Sequence, residues 1–273
     1  MDGAQHRSDG AWPAPTGPAV GWYESPDGRR HFDGVHWSEP VLDPLATRVG
    51  VGALAVLAAS LLLSRVAVVL LESVGIPVGV LVVLLIVGGY GPPAWWCVRT
   101  VRRARGAAWR ASIGLSVRGV DLAWGLLAWL SAVVLQAVVL AILMGLDIPV
   151  ASNASGLTDD GIPTWYLVAT ALAAVVAAPL VEELVFRGVV LASLTERLGA
   201  LGAIVVQGLI FGAVHADPLF GWSNLGLVLV LGTVGMVFGT AAHLTGRLGA
   251  AVIAHALFNG VVMVVLLTGV LPE

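Results

Sequence analysis

The sequence has no lysine, one cysteine and few charged residues of any kind. Charged side chains make up only 11% of its 273 residues, whereas a soluble domain has about 25%. The hydrophobic fraction is 58% and the mean hydropathy is +0.92. This shortage of charge excludes an ordinary soluble domain and predicts an all-α polytopic membrane protein. The single cysteine, Cys97, excludes a disulfide within the chain.

Long apolar runs predict about seven membrane spans, the first three within residues 49–146. The predicted spans are 49–71, 76–98, 121–146, 164–190, 199–215, 223–243 and 248–270. Because cytoplasmic loops are rich in basic residues, the positions of the charges orient these spans. Six arginines lie between the second and third spans, whereas the loop after the third carries aspartates, including Asp159 and Asp160, and no arginine. The pattern predicts a multi-pass protein of the cell membrane with a cytoplasmic N-terminus.

All 14 basic residues are arginines, which is typical of a GC-rich bacterial genome. Residues 1–20 are rich in Gly, Ala and Pro, and this composition predicts a disordered tail. Residues 21–40 contain two turn signals between short aromatic stretches. The aromatic residues of this segment are Trp22, Tyr23, Phe32 and Trp37. They predict a small cytoplasmic β-ribbon with a minimal aromatic core, and binding of a proline-rich peptide is the alternative. The segment resembles the GWY…DG..W module that precedes membrane segments in many bacterial proteins.

Three ionisable residues, Glu182, Glu183 and Arg187, fall in the apolar run that begins at Thr164. A charge at bilayer depth costs about 3 kcal/mol or more, so such residues usually face a protein interior or an aqueous cavity. Glu183 and Arg187 are four residues apart, with the acid first, which predicts an ion pair on one helix face. Glu182 lies about 100° around the helix. The spacing therefore leaves Glu182 without a local partner and free to accept a proton.

Two further polar pairs lie in the predicted fifth and seventh spans. Phe211 and His215 are four residues apart, as are His255 and Asn259, so each pair shares a helix face. A rise of about 1.5 Å per residue places Glu182, His215 and Asn259 at about 18–22 Å from the cytoplasmic ends of their spans, and His255 at about 14 Å. We therefore expect these side chains to converge on one cavity. A histidine and an asparagine that point into one space can hold a developing oxyanion.

The three motifs together resemble those of the CPBP intramembrane proteases, which include type II CAAX prenyl endopeptidases and bacteriocin-processing or bacteriocin-immunity proteins. The motifs are EExxxR at Glu182–Arg187, FxxxH at Phe211–His215 and HxxxN at His255–Asn259. The resemblance covers about residues 164–270, and the first three spans and the N-terminal module lie outside it. It implies an intramembrane endopeptidase that acts on a peptide or a membrane protein.

The resemblance also implies a role for each motif residue. Glu182 would be the general base that activates a water, and His215 would help to hold that water. His255 and Asn259 would form the oxyanion hole, while Glu183 and Arg187 would brace the site. Glu182 would then pass its proton to the leaving amine.

Metal dependence is open from the residues alone. Glu182, His215 and His255 would leave one open position on a zinc ion, as catalytic zinc sites do. The compact HExxH zinc signature is absent, however, and the asparagine of HxxxN suits a carbonyl oxygen better than zinc. The resemblance favours a glutamate-activated water, so we expect no cofactor and keep zinc as the alternative.

Two other functions fit a membrane protein with these residues. A non-catalytic immunity or scaffold protein would keep the same fold, although a complete polar set argues against that interpretation. A proton-coupled transporter would also use intramembrane Glu, His and Arg, but the sequence has no convincing internal repeat of the kind common in transporters. The expected partners are the lipid bilayer and a peptide or membrane-protein substrate, with no nucleic acid. The sequence does not indicate the oligomeric state.

Overall fold

The computed structural model describes residues 21–25, 28–33, 35–36, 45–154, 157 and 161–268. Within these residues the chain is almost entirely helical, which confirms the predicted all-α class. The predicted disordered tail at residues 1–20 lies outside the described part of the chain, as do Trp37, Asp159 and Asp160.

The N-terminal segment forms a two-stranded antiparallel ribbon, as its turn signals indicated. Strand β1 (Gly21–Ser25) pairs with β2 (Gly28–Phe32). A turn follows β2, in which the Asp33 carboxylate accepts hydrogen bonds from the backbone N–H groups of His36, at 2.6 Å, and Val35, at 2.8 Å. These two bonds lower the pKa of Asp33, because they stabilise the ionised carboxylate.

Six helical stretches in the described chain are long and apolar enough to cross a membrane. They are Thr47–Glu72, Val78–Ser112, Asp121–Gly145, Thr164–Ala213, Ser223–Thr245 and Gly249–Thr268. The first, third, fifth and sixth are single α-helices, called α1, α5, α9 and α10 here. The second contains α2 (Val78–Val83), the π-helical turn Leu84–Gly88, α3 (Gly89–Arg105), a 3-10 turn Gly106–Ala108 and α4 (Trp109–Ser112). These helices confirm a polytopic membrane protein.

The stretch Thr164–Ala213 contains two of the seven predicted spans, 164–190 and 199–215, joined across a kink. It has 50 residues, and a straight helix of that length would extend about 75 Å, more than twice the roughly 30 Å thickness of the hydrocarbon layer. Only Gly199 departs from helical dihedral angles, with φ 67° and ψ 171°. The break predicted between spans four and five therefore occupies one residue, since glycine adopts positive φ without a steric penalty.

Two π-helical turns interrupt the first half of this long stretch. Its elements are α6 (Thr164–Leu172), the π-helical turn Ala173–Ala177, α7 (Ala178–Glu183), the π-helical turn Leu184–Val190 and α8 (Leu191–Ala213). A π-helical turn inserts a residue into an α-helix and is frequent at functional sites. The acidic pair at the end of α7 lies directly between the two turns.

Close helix packing surrounds α7 on both sides. The turn Leu184–Val190 packs in one hydrophobic cluster with α1 and α3, while α5, α9 and α10 share a second cluster. Helix α8 approaches α9 closely, because a Cβ at Gly212 would collide with the Val228 carbonyl oxygen. Small residues allow such approaches between membrane helices. Helix α5 is therefore part of the helical core, although the family resemblance did not include it.

The ends of several helices meet at one end of the bundle, and this end carries most of the arginines. Gly52 of α1 lies so close to the Trp96 ring of α3 that a Cβ would stand 2.6 Å from it. Asp121, at the start of α5, binds Arg247 in the turn between α9 and α10 through Nε at 3.1 Å and Nη2 at 2.6 Å. We call the end of the bundle that contains Asp121 and Arg247 the arginine-bearing end. Its assignment to the cytoplasm stays a prediction.

Candidate active site

The acidic pair lies at the end of α7 in the interior of the bundle. Glu182 is 6% exposed, Glu183 is 0% exposed and Arg187 is 4% exposed. Helix α7 begins beside Pro179, whose fixed φ suits the first turn of a helix. The following π-helical turn carries Arg187 back over Glu183, and its Nη1 donates a hydrogen bond of 2.9 Å to the Glu183 Oε1. The ion pair expected from the four-residue spacing is thus present.

Glu183 also connects α7 to α10. The His255 Nδ1 lies 2.7 Å from the Glu183 Oε1, the same oxygen that Arg187 binds. A carboxylate held by a guanidinium accepts hydrogen bonds, so the His255 Nδ1 carries a proton and donates it. In the neutral ring the Nε2 is then an acceptor, and the glutamate fixes which tautomer is present.

Glu182 faces the other nitrogen of the same histidine. Its Oε2 lies 4.0 Å from the His255 Nε2, which is too far for a direct hydrogen bond. This oxygen is buried and receives no hydrogen bond from the described residues. The Glu183 Oε2 is also buried without a hydrogen-bond partner among the described residues. The two glutamates differ because Glu183 is held through its Oε1 by two partners, whereas the open oxygen of Glu182 faces the His255 Nε2.

Three phenylalanine rings enclose the buried guanidinium of Arg187. Its Cζ lies 4.7 Å from the Phe211 ring centroid, 5.6 Å from that of Phe238 and 5.8 Å from that of Phe186. Cations at such distances are attracted to the faces of aromatic rings, most strongly when they are desolvated. The phenylalanine of FxxxH thus contributes to the environment of the arginine of EExxxR.

His215 contacts the network through the ring of Phe211. The Phe211 ring centroid is 4.9 Å from the His215 ring and 5.7 Å from the His255 ring. The His215 Nδ1 donates to the Phe211 carbonyl oxygen at 2.7 Å, which leaves the Nε2 of the neutral ring as an acceptor. The two imidazoles therefore both pack against the ring of Phe211.

Asn259 binds the long helical stretch through its amide. Its Nδ2 donates a 2.7 Å hydrogen bond to the Ala174 carbonyl oxygen, in the first π-helical turn. A π-helical turn disturbs the regular pairing of backbone groups, so a carbonyl there can accept from a side chain. The second hydrogen of the Asn259 amide remains for another acceptor.

The residues that form this network all fall within one family match. The family model described as type II CAAX prenyl endopeptidase Rce1-like matches residues 164–261. Residues 164–261 form an Rce1-like domain. The sequence-based resemblance to the CPBP and CAAX protease group is therefore confirmed for this region. No curated protein and no solved structure matches the chain.

The Rce1-like domain contains all six predicted site residues, and its family is one of intramembrane endopeptidases of the CAAX protease type. Two of the six, Glu182 and Glu183, face the two ring nitrogens of a third, His255. Arg187 joins them through Glu183. Asn259 instead contacts the π-helical turn, and His215 contacts the network through Phe211.

One buried polar residue of the Rce1-like domain, Gln207, was not among the predicted site residues. Its Nε2 donates to the Gly235 carbonyl oxygen at 2.9 Å, and the Arg187 Nη2 donates to the same oxygen at 2.9 Å. Gln207 is 0% exposed. Its position offered a signal, because it precedes Phe211 by four residues on the same face of an apolar helix.

The zinc alternative requires that Glu182, His215 and His255 share one ion. Among the residues that the structure describes, no three His, Cys, Asp or Glu side chains are grouped closely enough to hold a metal. The proposed ligand set of the Rce1-like domain thus does not fit a metal in this arrangement.

Proposed function

We propose that this protein is an intramembrane endopeptidase in which Glu182 activates a water molecule for attack on a peptide carbonyl. The observation that carries the proposal is the open Glu182 Oε2, buried and 4.0 Å from the His255 Nε2. A water oxygen about 2.8 Å from each of two atoms fits between them at that separation. A lone carboxylate beside an acceptor nitrogen suits a general base.

The reaction balances with Glu182 as the only proton carrier. Glu182 takes one proton from the water as the oxygen bonds to the carbonyl carbon. The resulting tetrahedral intermediate carries negative charge on the former carbonyl oxygen. Glu182 then gives its proton to the leaving nitrogen as the C–N bond breaks, which leaves a carboxylic acid and an amine and restores the glutamate.

The remaining residues position the water and the substrate. The Glu183 Oε1 accepts from the His255 Nδ1, 2.7 Å away, so that the Nε2 accepts a hydrogen bond from the water. An unprotonated Nε2 cannot donate to an oxyanion, so this role replaces the oxyanion-hole role that the resemblance implied for His255. Arg187 donates to the same Glu183 oxygen at 2.9 Å and so fixes the carboxylate for this contact. The free amide hydrogen of Asn259 donates to the developing oxyanion, and the His215 Nε2 helps to hold the water.

An apolar groove beside Asn259 suits the substrate. It has a volume of about 590 Å³ and lies between the first π-helical turn and α10, with Val175, Ile253 and Gly260 among its lining residues. An aliphatic side chain next to the scissile bond can fill such a groove. The substrate class proposed is accordingly a peptide segment with aliphatic residues at the cleavage site, which reaches the groove from the bilayer.

The test compares purified full-length protein with Glu182→Ala on a panel of quenched peptides, each with and without a metal chelator. Wild type is expected to cleave peptides with Leu or Val at the scissile bond in preference to those with Asp or Ser. Glu182→Ala is expected to reduce cleavage by about 10²–10⁴-fold, the usual contribution of a general base, and the chelator is expected to have no effect. Equal cleavage by both proteins would remove Glu182 as the base.

Two other outcomes would replace the proposal. Cleavage that stops with chelator and returns with zinc would establish metal chemistry. Proton-driven uptake into vesicles, with no cleavage of any peptide, would establish the transporter instead.

A further inference from the structure

A groove outside the Rce1-like domain lies at the arginine-bearing end of the bundle. Its volume is about 510 Å³. It is lined by side chains of α3: Ala94, Trp95, Val98, Arg99, Arg102 and Arg103. None of these residues takes part in the proposed peptide hydrolysis, so the groove requires its own explanation.

The lining residues lie on one face of α3 and change from apolar to cationic along the helix axis. Trp95, Arg99, Arg102 and Arg103 are spaced by four, seven and eight residues, which brings them into one stripe. The apolar residues come first along the axis and the arginines follow, over about 10 Å. The groove is therefore apolar towards the membrane and cationic at its outer end.

The three groove arginines have no acidic partner in the described part of the chain. The sequence contains no Asp or Glu between Glu72 and Asp121, and the ion pairs of the described residues involve other arginines. Aromatic rings hold two of the guanidinium groups in place. The Arg99 Cζ lies 5.1 Å from the Trp95 ring and the Arg102 Cζ lies 5.7 Å from the Trp109 ring.

Trp95 indicates where the groove lies along the membrane normal. Its side chain is 62% exposed on α3, four residues before the first groove arginine. Exposed tryptophan is typical of the boundary between hydrocarbon and headgroups, and the phosphates of a bilayer lie just outside that boundary. The guanidinium groups are therefore at headgroup level, where arginine can bind phosphate through two parallel hydrogen bonds.

We infer that this groove is a binding site for the headgroup of an anionic phospholipid. The arginines contact the phosphate and the anionic headgroup, while Ala94, Trp95 and Val98 contact the upper part of an acyl chain. Basic pockets at the membrane end of helices recognise anionic lipids in this way. Free inorganic phosphate would leave the apolar half of the groove empty.

The test measures lipid binding to the full-length protein in an uncharged detergent, by native mass spectrometry with short-chain phosphatidylglycerol or phosphatidylcholine. The groove variant replaces Arg99, Arg102 and Arg103 by Gln. Wild type is expected to bind phosphatidylglycerol at least tenfold more tightly than phosphatidylcholine. The groove variant is expected to lose at least tenfold in affinity for phosphatidylglycerol only, since each arginine near the headgroups contributes severalfold.

A matched control separates a built site from general charge attraction. The rim variant replaces the exposed arginines Arg48, Arg118 and Arg197 by Gln, with the same loss of charge outside the groove. It is expected to change phosphatidylglycerol affinity by less than about threefold. An equal loss in both variants, equal binding of the two lipids by wild type, or full competition by millimolar inorganic phosphate would overturn the inference.

Single substitutions keep the inference testable if the groove variant does not fold. Arg102→Gln and Arg103→Gln are each expected to lower phosphatidylglycerol affinity by about threefold or more, and Arg197→Gln by less. Binding of all three variants with wild-type affinity would overturn the assignment. The readout is lipid affinity, so it does not depend on peptidase activity.

Discussion

Two ion pairs, one buried in the interior of the bundle and one partly exposed at its arginine-bearing end, hold the same helix in different ways. Glu183 and Arg187 lie four residues apart, and their side chains are both 0% exposed. Asp121 and Arg247 lie 126 residues apart in sequence, with side chains 0% and 15% exposed. Both pairs position α10, since the first binds His255 and the second binds the turn that leads into the helix.

The inner pair belongs to the proposed catalytic site, whereas the outer pair joins the ends of helices. In the inner pair, one carboxylate oxygen serves both an arginine and an imidazole that faces the open Glu182. In the outer pair, the Asp121 carboxylate takes three hydrogen bonds from the Arg247 guanidinium and one from a backbone N–H. The outer pair therefore has no open group that could react.

The outer pair is also insensitive to alkaline pH. The hydrogen bonds to Asp121 raise the pKa of Arg247 above its usual value. A base with a raised pKa loses its stabilising contribution only as the pH rises through that pKa. For Arg247 this pKa lies far above any pH at which the protein would be studied. The pair thus stays charged on the alkaline side.

The largest loss of stability is expected when the inner pair, Glu183 and Arg187, loses its cation. Arg187→Met leaves the buried Glu183 without compensation, which costs about 3–5 kcal/mol of unfolding free energy. The measurement is unfolding in detergent, monitored by circular dichroism. The double variant Glu183→Gln/Arg187→Met is the control, and it is expected to recover most of the stability but not the activity. Wild-type stability of Arg187→Met would contradict a buried ion pair.

A smaller loss of stability is expected when the outer pair, Asp121 and Arg247, is broken. Asp121→Asn removes the charge of an ion pair that is partly exposed to solvent and therefore screened, so we expect a modestly lower melting temperature with kcat changed by less than about fivefold. Asp147→Asn, at an exposed position, should leave both quantities unchanged. A kcat loss of a hundredfold in Asp121→Asn at full stability would place the outer pair in the chemistry.

The smallest of the three effects concerns the residue that shares a carbonyl with Arg187. Gln207→Leu removes one of the two donors to the Gly235 oxygen, at a cost of about 1 kcal/mol in stability. We expect a kcat loss of about tenfold with little change in KM, because the Gly235 carbonyl that accepts from Arg187 is then fixed by one donor fewer. Gln136→Leu, a half-buried change in α5, is the matched control. Equal kcat values for the two variants would make Gln207 merely structural.

The two pairs also show what the sequence could predict. The Glu183–Arg187 pair followed from a four-residue spacing, because helix geometry alone brings such side chains together. The Asp121–Arg247 pair did not, because 126 residues of chain separate its members and only the packing of α5 against α9 and α10 joins them. The inclusion of α5 in the core was unpredictable for the same reason.

Some further features of the structure could not be predicted because they arise from irregularities in the helix backbone. The π-helical turns at Ala173–Ala177 and Leu184–Val190 have no clear signature in an apolar run, so the bond from Asn259 to Ala174 could not be foreseen. The single-residue break at Gly199 was predicted as a loop between two spans. Gln207 could have been found, since a polar residue in an apolar helix four residues before Phe211 is itself a signal.

The most direct measurement is the single-turnover rate of Glu182→Gln on a cleaved peptide, with Glu196→Gln as the control. The glutamine keeps the size of the side chain but cannot take a proton from water. The account predicts a rate at least about a hundredfold below wild type, with unfolding unchanged and Glu196→Gln equal to wild type. A Glu182→Gln rate within threefold of wild type would contradict it.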